Sequence, residues 1–319
     1  MPTNPATLDD LVTLRDWLRF AVSKFNAAHL VYGHGTGSAL DEAAFLLLSG
    51  LDLPIDQLDP WLDARLTRPE RQRLADLIAQ RIATRKPAPY LVGKAWIKGH
   101  PFRVDERVIV PRSYIGELLV ERPEALVPDA DSVGRVLDLC TGSGCLAILA
   151  ALAFDSAGVD AVDISPGALA VARMNIADYR LHDRVTPIES DLFAALSGRR
   201  YDLIVSNPPY VASAAVEAFP PEYRAEPKLA HLGGTDGMDL VRRILAAAGR
   251  HLEPGGTLVM EIGTGREVIE HDFPDLPLIW LDTEESEGEV LLVTADDLAS
   301  LDGGQRRPRR GTHRPRKGA

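Results

Sequence analysis

The sequence predicts an α/β protein in which a mostly parallel sheet, covered by helices on both faces, follows a small helical domain. Three observations carry this. From Arg112 onward, short apolar strand-like runs alternate with helix-like runs, the order that gives parallel strands joined by crossover helices. One strand-like run, Gly134–Leu139, passes through a glycine turn, Cys140–Cys145, into the apolar stretch Leu146–Ala153. Another, Tyr201–Ser206, stops at Asn207-Pro208-Pro209-Tyr210, where the prolines fix their own φ and bias Asn207 and Pro208 away from helix.

In chain order, a first helix is expected over Leu8–Ala28, with Leu11, Leu14, Trp17, Leu18 and Val22 on one side. A second covers Leu40–Leu48, and a third Pro69–Thr84 turns Leu74, Leu77, Ile78 and Ile82 inward. The Trp and Leu stripe reads as core. Lys86-Pro87-Ala88-Pro89 then breaks helicity, and Ala95–Ile97 and Phe102–Val104 flank Lys98-Gly99-His100-Pro101 as a hairpin. Beyond Arg112 the strands are Gly134–Leu139, Gly158–Val162, Arg184–Ile188, Tyr201–Ser206, Thr257–Glu261, Leu276–Leu281 and Glu289–Val293. Val241–Leu252 reads as a helix stopped by Pro254-Gly255-Gly256.

Strand, glycine turn and helix together make a nucleotide-cofactor geometry. Gly142 and Gly144 allow close backbone approach, and the helix start presents free N–H groups. Asp163, about 20 residues past the glycines at the end of the next strand, stands where an acid takes a ribose hydroxyl pair. A pyrophosphate site would avoid a carboxylate beside the turn, whereas Asp138 suits a cofactor bearing an amino acid and a sulfonium, so S-adenosylmethionine fits better than a dinucleotide. Asp191 can accept from the adenine amine, with Leu192 or Phe193 flanking the ring; the plainer alternatives are a tight turn without ligand and an Asp that caps a helix.

The Asn207 turn suggests the chemistry. The Asn207 side-chain carbonyl and the Pro208 backbone carbonyl are two acceptors for the hydrogens of a planar NH2 group, Pro209 stiffens the turn, and the Tyr210 ring offers a flat surface for an amide or a base. Two acceptors holding such a group aim its lone pair at an electrophile, so the implied reaction is transfer to nitrogen. A rigid turn capped by an Asn is the structural alternative.

Asp138-Leu139-Cys140-Thr141-Gly142-Ser143-Gly144, Asp163, Ser190-Asp191 and Asn207-Pro208-Pro209-Tyr210 resemble the HemK/Prm class of S-adenosylmethionine-dependent methyltransferases, which modify glutamine side-chain amides in proteins. The resemblance covers nearly the whole chain, including Val108–Arg112, Glu226-Pro227-Lys228-Leu229-Ala230 and Gly233-Gly234-Thr235-Asp236-Gly237. It implies a seven-stranded Rossmann-like catalytic domain whose last strand is antiparallel. It also implies cofactor contacts from Asp138, Thr141, Gly142, Ser143, Gly144, Asp163, Asp191, Leu192 and Asn207, with catalysis by Asn207, Pro208 and Tyr210. The substrate is expected against Asn207, Pro208, Pro209, Tyr210 and Arg112. Cys140 stands where the release-factor branch has its first loop glycine, and Ser113-Tyr114-Ile115-Gly116-Glu117 follows Arg112 where that branch has Pro-Asp-Thr-Glu. Both departures, with Thr13–Phe20, Tyr32–Gly35 and Leu40–Ala43, resemble the branch acting on large-subunit ribosomal protein L-three, and the shifted acid leaves the role of Glu117 open. The implied layout is a substrate-recognition helical domain over residues 1–86, a hairpin linker over 87–112, a catalytic domain over 113–297 and a basic disordered tail over 298–319. Related reactions define the alternatives: a release-factor Gly-Gly-Gln glutamine, a flipped DNA adenine, or an assembly factor for which methylation is dispensable.

Composition limits these choices. A formal net charge of −11 argues against a general DNA binder and suits a basic partner such as a ribosomal protein. The tail reverses that sign, since Arg306–Arg310 and Arg314–Lys317 form a Pro- and Gly-broken basic run, suited to loose ribosomal RNA contact or to none. With 45% hydrophobic residues over 319 positions, the chain can bury a large core. No apolar run approaches the roughly 20 residues of a membrane span, and the start lacks a signal sequence, so the cytoplasm is expected. Cys140 and Cys145 flank the glycine turn too closely for a structural disulfide and have no nearby histidines, so no metal is expected.

Overall fold

A computed structural model describes residues 9–127 and 129–302. The first helix, α1 (Leu14–Ala27), starts later than its apolar pattern suggests, because Thr13 and Asp16 close a capping box: Asp16 N–H donates to Thr13 Oγ1 (3.2 Å) and Thr13 N–H to Asp16 Oδ2 (2.9 Å). Leu8 lies outside the described residues. Helices α2 (Ala39–Gly50) and α3 (Arg68–Thr84) pack on α1 through Leu14, Trp17, Phe25, Leu46, Leu74 and Ile78. Leu77 and Ile82 reach that core only in part. Where the sequence suggested only a break, a short helix α4 (Ala88–Val92) forms, its proline standing in the first turn where no intrahelical N–H is needed. Strands β1 (Lys94–Ile97) and β2 (His100–Arg103) then form an antiparallel hairpin. Its two turn residues, Lys98 (φ 44°) and Gly99 (φ 81°), both have the positive φ that a tight hairpin turn requires.

The seven-stranded sheet comprises β3 (Arg135–Leu139), β4 (Gly158–Asp163), β5 (Val185–Glu189), β6 (Tyr201–Ser206), β7 (Leu252–Glu261), β8 (Ile279–Leu281) and β9 (Val290–Thr294), in the order β5-β4-β3-β6-β7-β9-β8. β9 runs antiparallel to both of its neighbours, and the pairs from β5 to β7 are parallel. β7 begins at Leu252 rather than Thr257, because Pro254-Gly255-Gly256 is carried inside the strand as an irregularity that shifts the register between Tyr201 and Leu203. The preceding helix accordingly ends at Ala248. β8 is shorter than its apolar run, starting at Ile279.

Alternation along β3 sends successive residues to opposite faces. Val136 joins the core made with Ile115, Leu118 and the helix Cys145–Ala153, whereas Leu137 joins Val241, Ile244 and Leu245 of the helix Asp239–Ala248. Residues 298–302, assigned by sequence to the tail, continue a helix, Ala295–Asp302; the basic run Arg306–Lys317 lies outside the described residues. Among the described residues, no helix is long and apolar enough to cross a membrane.

Candidate active site

Because β3, β4 and β6 are parallel, their carboxyl ends deliver the glycine turn, Asp163 and Asn207 to one edge of the sheet. The turn is bent by three positive φ angles, at Cys140 (60°), Gly142 (56°) and Gly144 (80°). For Cys140 that conformation costs roughly 1 kcal/mol, which the surrounding hydrogen bonds must offset. Asp138 supplies two of them, accepting from Thr141 Oγ1 (2.5 Å) and Ala147 N–H (2.9 Å) through Oδ2. Asp138 is fully buried, and burial pushes its carboxyl up to about 7. Asp163 spans the next gap, accepting from Gly142 N–H through Oδ2 and from Ser165 N–H through Oδ1, each at 2.9 Å, and its own pKa is raised by burial.

These elements enclose a cavity of about 370 Å³ lined by Cys140, Gly142, Asp163, Asp191, Leu192 and Asn207, among others. Asp138, Thr141, Ser143 and Gly144 stand behind that wall. The first two brace the turn, Ser143 C=O accepts from Asn175 Nδ2 (2.8 Å), and a Cβ at Gly144 would lie 3.1 Å from Ala172 Cβ. Asp191 is paired with Arg243 (2.8 Å) at the cavity rim. Phe193, the other residue considered for the ring, instead stacks on His251 with centroids 4.6 Å apart.

The donor set fits S-adenosylmethionine. A Cβ on Gly142 would meet no protein atom nearer than 4.0 Å, so the turn keeps open space on its cavity side. Asp163 and Asp191 supply carboxylates for hydroxyl and amine hydrogens beside the apolar Leu192. Asp138 Oδ1 has no hydrogen-bond partner among the described residues, leaving a buried acceptor beside the turn.

The Asn207 turn is held from several sides. Asn207 Nδ2 donates to Arg112 C=O (3.5 Å), an orientation that leaves Oδ1 free to accept. Val211 N–H donates to His231 C=O and Gly233 N–H to Val211 C=O, both at 2.9 Å. Glycines collar the turn because no side chain would fit. A Cβ at Gly233 would lie 2.8 Å from Pro209 O, at Gly237 2.3 Å from Tyr210 O, and at Gly263 2.7 Å from the Tyr210 ring. Asn207 and Pro209 face the first cavity, whereas Tyr210 faces another, of about 730 Å³, with Gly35, Trp96, Lys98, Ser113, Glu117 and Glu261 on its wall. Pro208 is buried within the turn.

Arg112, expected to touch substrate, lines this second cavity, and its guanidinium is engaged by both carboxylate oxygens of Glu226 at 3.0 Å. Glu226 also accepts from Val110 N–H (2.9 Å) and pairs with His231 Nε2 (2.9 Å), and His34 Nε2 of the helical domain lies 3.5 Å away. Despite burial, these partners hold the Glu226 carboxyl well below the usual carboxylate range. Glu117 sits at the cavity rim, 3.3 Å from Lys98 Nζ and accepting Glu284 N–H at 2.9 Å, which gives it a bracing place.

A family model for the methyltransferase small domain matches residues 117–219. The ribosomal protein uL3 glutamine methyltransferase of Bradyrhizobium diazoefficiens is 56% identical over 295 residues, covering 91% of this chain and 92% of its own length. The protein of the same name from Bordetella pertussis is 57% identical, covering 91% of this chain and 97% of its own. This chain belongs to the uL3 glutamine methyltransferase family. A Burkholderia pseudomallei member is 49% identical over 310 residues, 95% of this chain and all of its own. Membership makes this chain a methyltransferase with S-adenosylmethionine as its cofactor.

Sequence reading did not assign a role to Glu261, at the end of β7, to His34, or to Glu226 individually. For Glu261 a signal existed: a carboxylate at the carboxyl end of a central parallel strand lies where open α/β sheets bind ligands. Glu226 and His34 gave none, since they meet only through chain folding across 192 positions.

Proposed function

We propose that this protein methylates the side-chain amide nitrogen of a glutamine in ribosomal protein uL3, with the glutamine held at the Asn207 turn. The observation that carries this reading is the division of that turn between two cavities, Asn207 and Pro209 on the cofactor side and Tyr210 on the other. A side chain entering from the second cavity would meet the turn from the face opposite the methyl donor. S-adenosylmethionine, when bound, supplies an electrophilic methyl group on a sulfonium. The chain's own residues supply position: Asn207 Oδ1 and Pro208 C=O accept the two amide hydrogens, and Asn207 is kept in that orientation by Arg112 C=O. Near-attack positioning can remove roughly 7–11 kcal/mol from a barrier, far more than the roughly 1 kcal/mol net of one hydrogen bond.

The second cavity is lined by Gly33, Gly35, Thr36 and Gly37 from the helical part of the chain and by Arg112, Ser113 and Tyr114 from the rest, which supports a part for the helical domain in substrate recognition. A basic ribosomal protein suits the net charge of −11. The cytoplasm, where ribosomal proteins are made, is the fitting location, and the basic run Arg306–Lys317 is suited to weak ribosomal RNA contact.

The test pairs purified uL3 and a release factor with wild-type protein and Asn207→Ala, reading methylated peptides by mass spectrometry and cofactor affinity by titration calorimetry. Wild type should modify uL3 alone. Asn207→Ala should lose about 10²-fold or more in turnover with cofactor Kd changed less than about threefold. Normal turnover in the variant would remove the acceptor role, and modification of the release factor instead of uL3 would overturn the substrate.

A further inference from the structure

Moving a methyl group onto an amide nitrogen leaves that nitrogen with one proton too many, and the Asn207 turn, built from neutral acceptors, has no group to keep it. Among the residues flanking the turn, Tyr210 hydroxyl donates to Glu261 Oε1 at 3.0 Å. Glu261 Oε2 accepts from Ser113 Oγ (2.7 Å) and Tyr114 N–H (3.0 Å). Glu261 ends β7, the strand next to β6 that delivers the turn, and Ser206 and Met260 are register partners, so carboxylate and turn are fixed by one sheet. Although nearly wholly buried, Glu261 lines the second cavity with Tyr210. Its hydrogen-bond partners are all neutral donors, so no cation holds it as a structural anion.

We propose that Glu261 is the proton acceptor of the reaction, acting through Tyr210. As the substrate nitrogen gains the methyl carbon, the carbon–sulfur bond of the sulfonium breaks with its electron pair staying on sulfur. One of the two N–H protons leaves its acceptor in the turn and passes to Tyr210 Oη, the other staying on nitrogen, while the hydroxyl proton of Tyr210 passes to Glu261 Oε1, so phenol is regenerated and the carboxylate becomes carboxylic acid. The proton then exchanges with solvent through the cavity. Because Tyr210 points its proton at Glu261, an oxygen lone pair is left for a donor in the cavity. The phenol itself never carries charge, as suits a hydroxyl whose pKa burial and Glu261 push far up.

The charge environment supports a carboxylate that can take and release a proton near neutrality. Burial, countered by the Ser113, Tyr210 and Tyr114 hydrogen bonds and helped by Glu289 just before β9, pushes Glu261 up to about 7. The other ionisable groups on the cavity wall are Tyr114 and Glu117 of the helix Tyr114–Glu121, Lys98 of the hairpin turn, Glu285 of the loop before β9, and Arg112. Lys98 is engaged by Glu117, Glu121 and Glu284, and Arg112 by Glu226, so neither cation is directed at Glu261.

The inference rests on the glutamine-methyltransferase reading, and its test separates the two. Single-turnover methylation of uL3 is followed from pH 5.5 to 9 with wild type, Glu261→Gln and Tyr210→Phe, and the Glu261 carboxyl is titrated by 13C NMR in the protein without cofactor or substrate. Expected are a wild-type rate that falls below about pH 7, a carboxyl titrating in the same range, and a loss of about 10²-fold in each variant with that acid limb gone. Cofactor Kd should be unchanged in both, which shows that they fold. A Glu261→Gln enzyme that keeps the acid limb overturns the proposal, leaving Glu261 as a brace for Ser113 and Tyr210. So does a carboxyl that titrates below pH 5. A wild-type protein that methylates no uL3 glutamine, with the carboxyl titrating near 7, would instead sink the functional reading on which the proposal stands.

Discussion

Gly233→Ala is the sharpest probe of whether turn geometry governs catalysis. The glycine lies outside the Asn207 turn and its cavity-facing atoms are backbone, yet a Cβ there would fall 2.1 Å from Gly237 O and 2.8 Å from Pro209 O. Both contacts are backbone, so no side-chain rotation relieves them. Opening 2.1 Å to the 3.0 Å that Cβ atoms tolerate needs about 0.9 Å of backbone movement. Part of that movement must reach the turn, because Gly233 N–H is bonded to Val211 C=O and Pro209 O lies on the other side. A 1 Å misplacement of a positioned group can cost about 10²-fold in rate, close to 3 kcal/mol of barrier. We expect kcat on uL3 to fall by that order while cofactor Kd, set chiefly by the β3 and β4 ends, changes little. Gly158→Ala is the control, since no atom lies within 4 Å of its Cβ and its φ is not in the left-handed region; it should match wild type. A Gly233→Ala enzyme with wild-type kcat would refute the reasoning that the glycine collar sets the turn.

Asp163→Asn keeps an acceptor but turns an NH2 group toward one of the two N–H donors, Gly142 or Ser165, that the carboxylate now satisfies. A lost charge-assisted hydrogen bond amounts to about 1.5–3 kcal/mol, so cofactor Kd should weaken about 10- to 100-fold by calorimetry, and an unchanged Kd would remove Asp163 from the cofactor site. Glu226→Gln breaks a buried ion pair, which costs about 3–5 kcal/mol; the low end applies because the Arg112 side chain is 30% exposed. The Glu226 pKa is depressed in the folded chain, so its stabilisation is present above the ordinary carboxylate pKa, about 4.3, and is lost as pH falls below it. The denaturation-midpoint gap between wild type and variant should therefore be full at pH 7 and narrow below about pH 4, and a gap constant with pH would contradict that assignment.

Local features were legible without tertiary structure. Strand periodicity, the capping and glycine turns, and the two prolines after Asn207 act within a few residues, so the order of strands and the place of the cofactor loop follow from the chain itself. Boundaries failed where a local signal was absorbed by its surroundings: Pro254-Gly255-Gly256 reads as a stop, but β7 carries it as an irregularity in its pairing with β6. Asp138 and Arg112 show the same limit in the site. Residue type and position suggested ligand contact for each, but no local pattern records the partners that packing gives them, Thr141 and Ala147 for Asp138 and Glu226 for Arg112.

The sequence by itself determined the α/β class, the cofactor loop and the rigid Asn207 turn, because those depend on backbone preferences over short stretches. Tertiary structure alone decided that Tyr210 meets Glu261, that Glu226 gathers Arg112, His231 and His34, and that the turn stands between two cavities. The physical reason is that a carboxylate's partners, and with them its protonation, are set by which distant elements pack around it, and no local pattern records that packing.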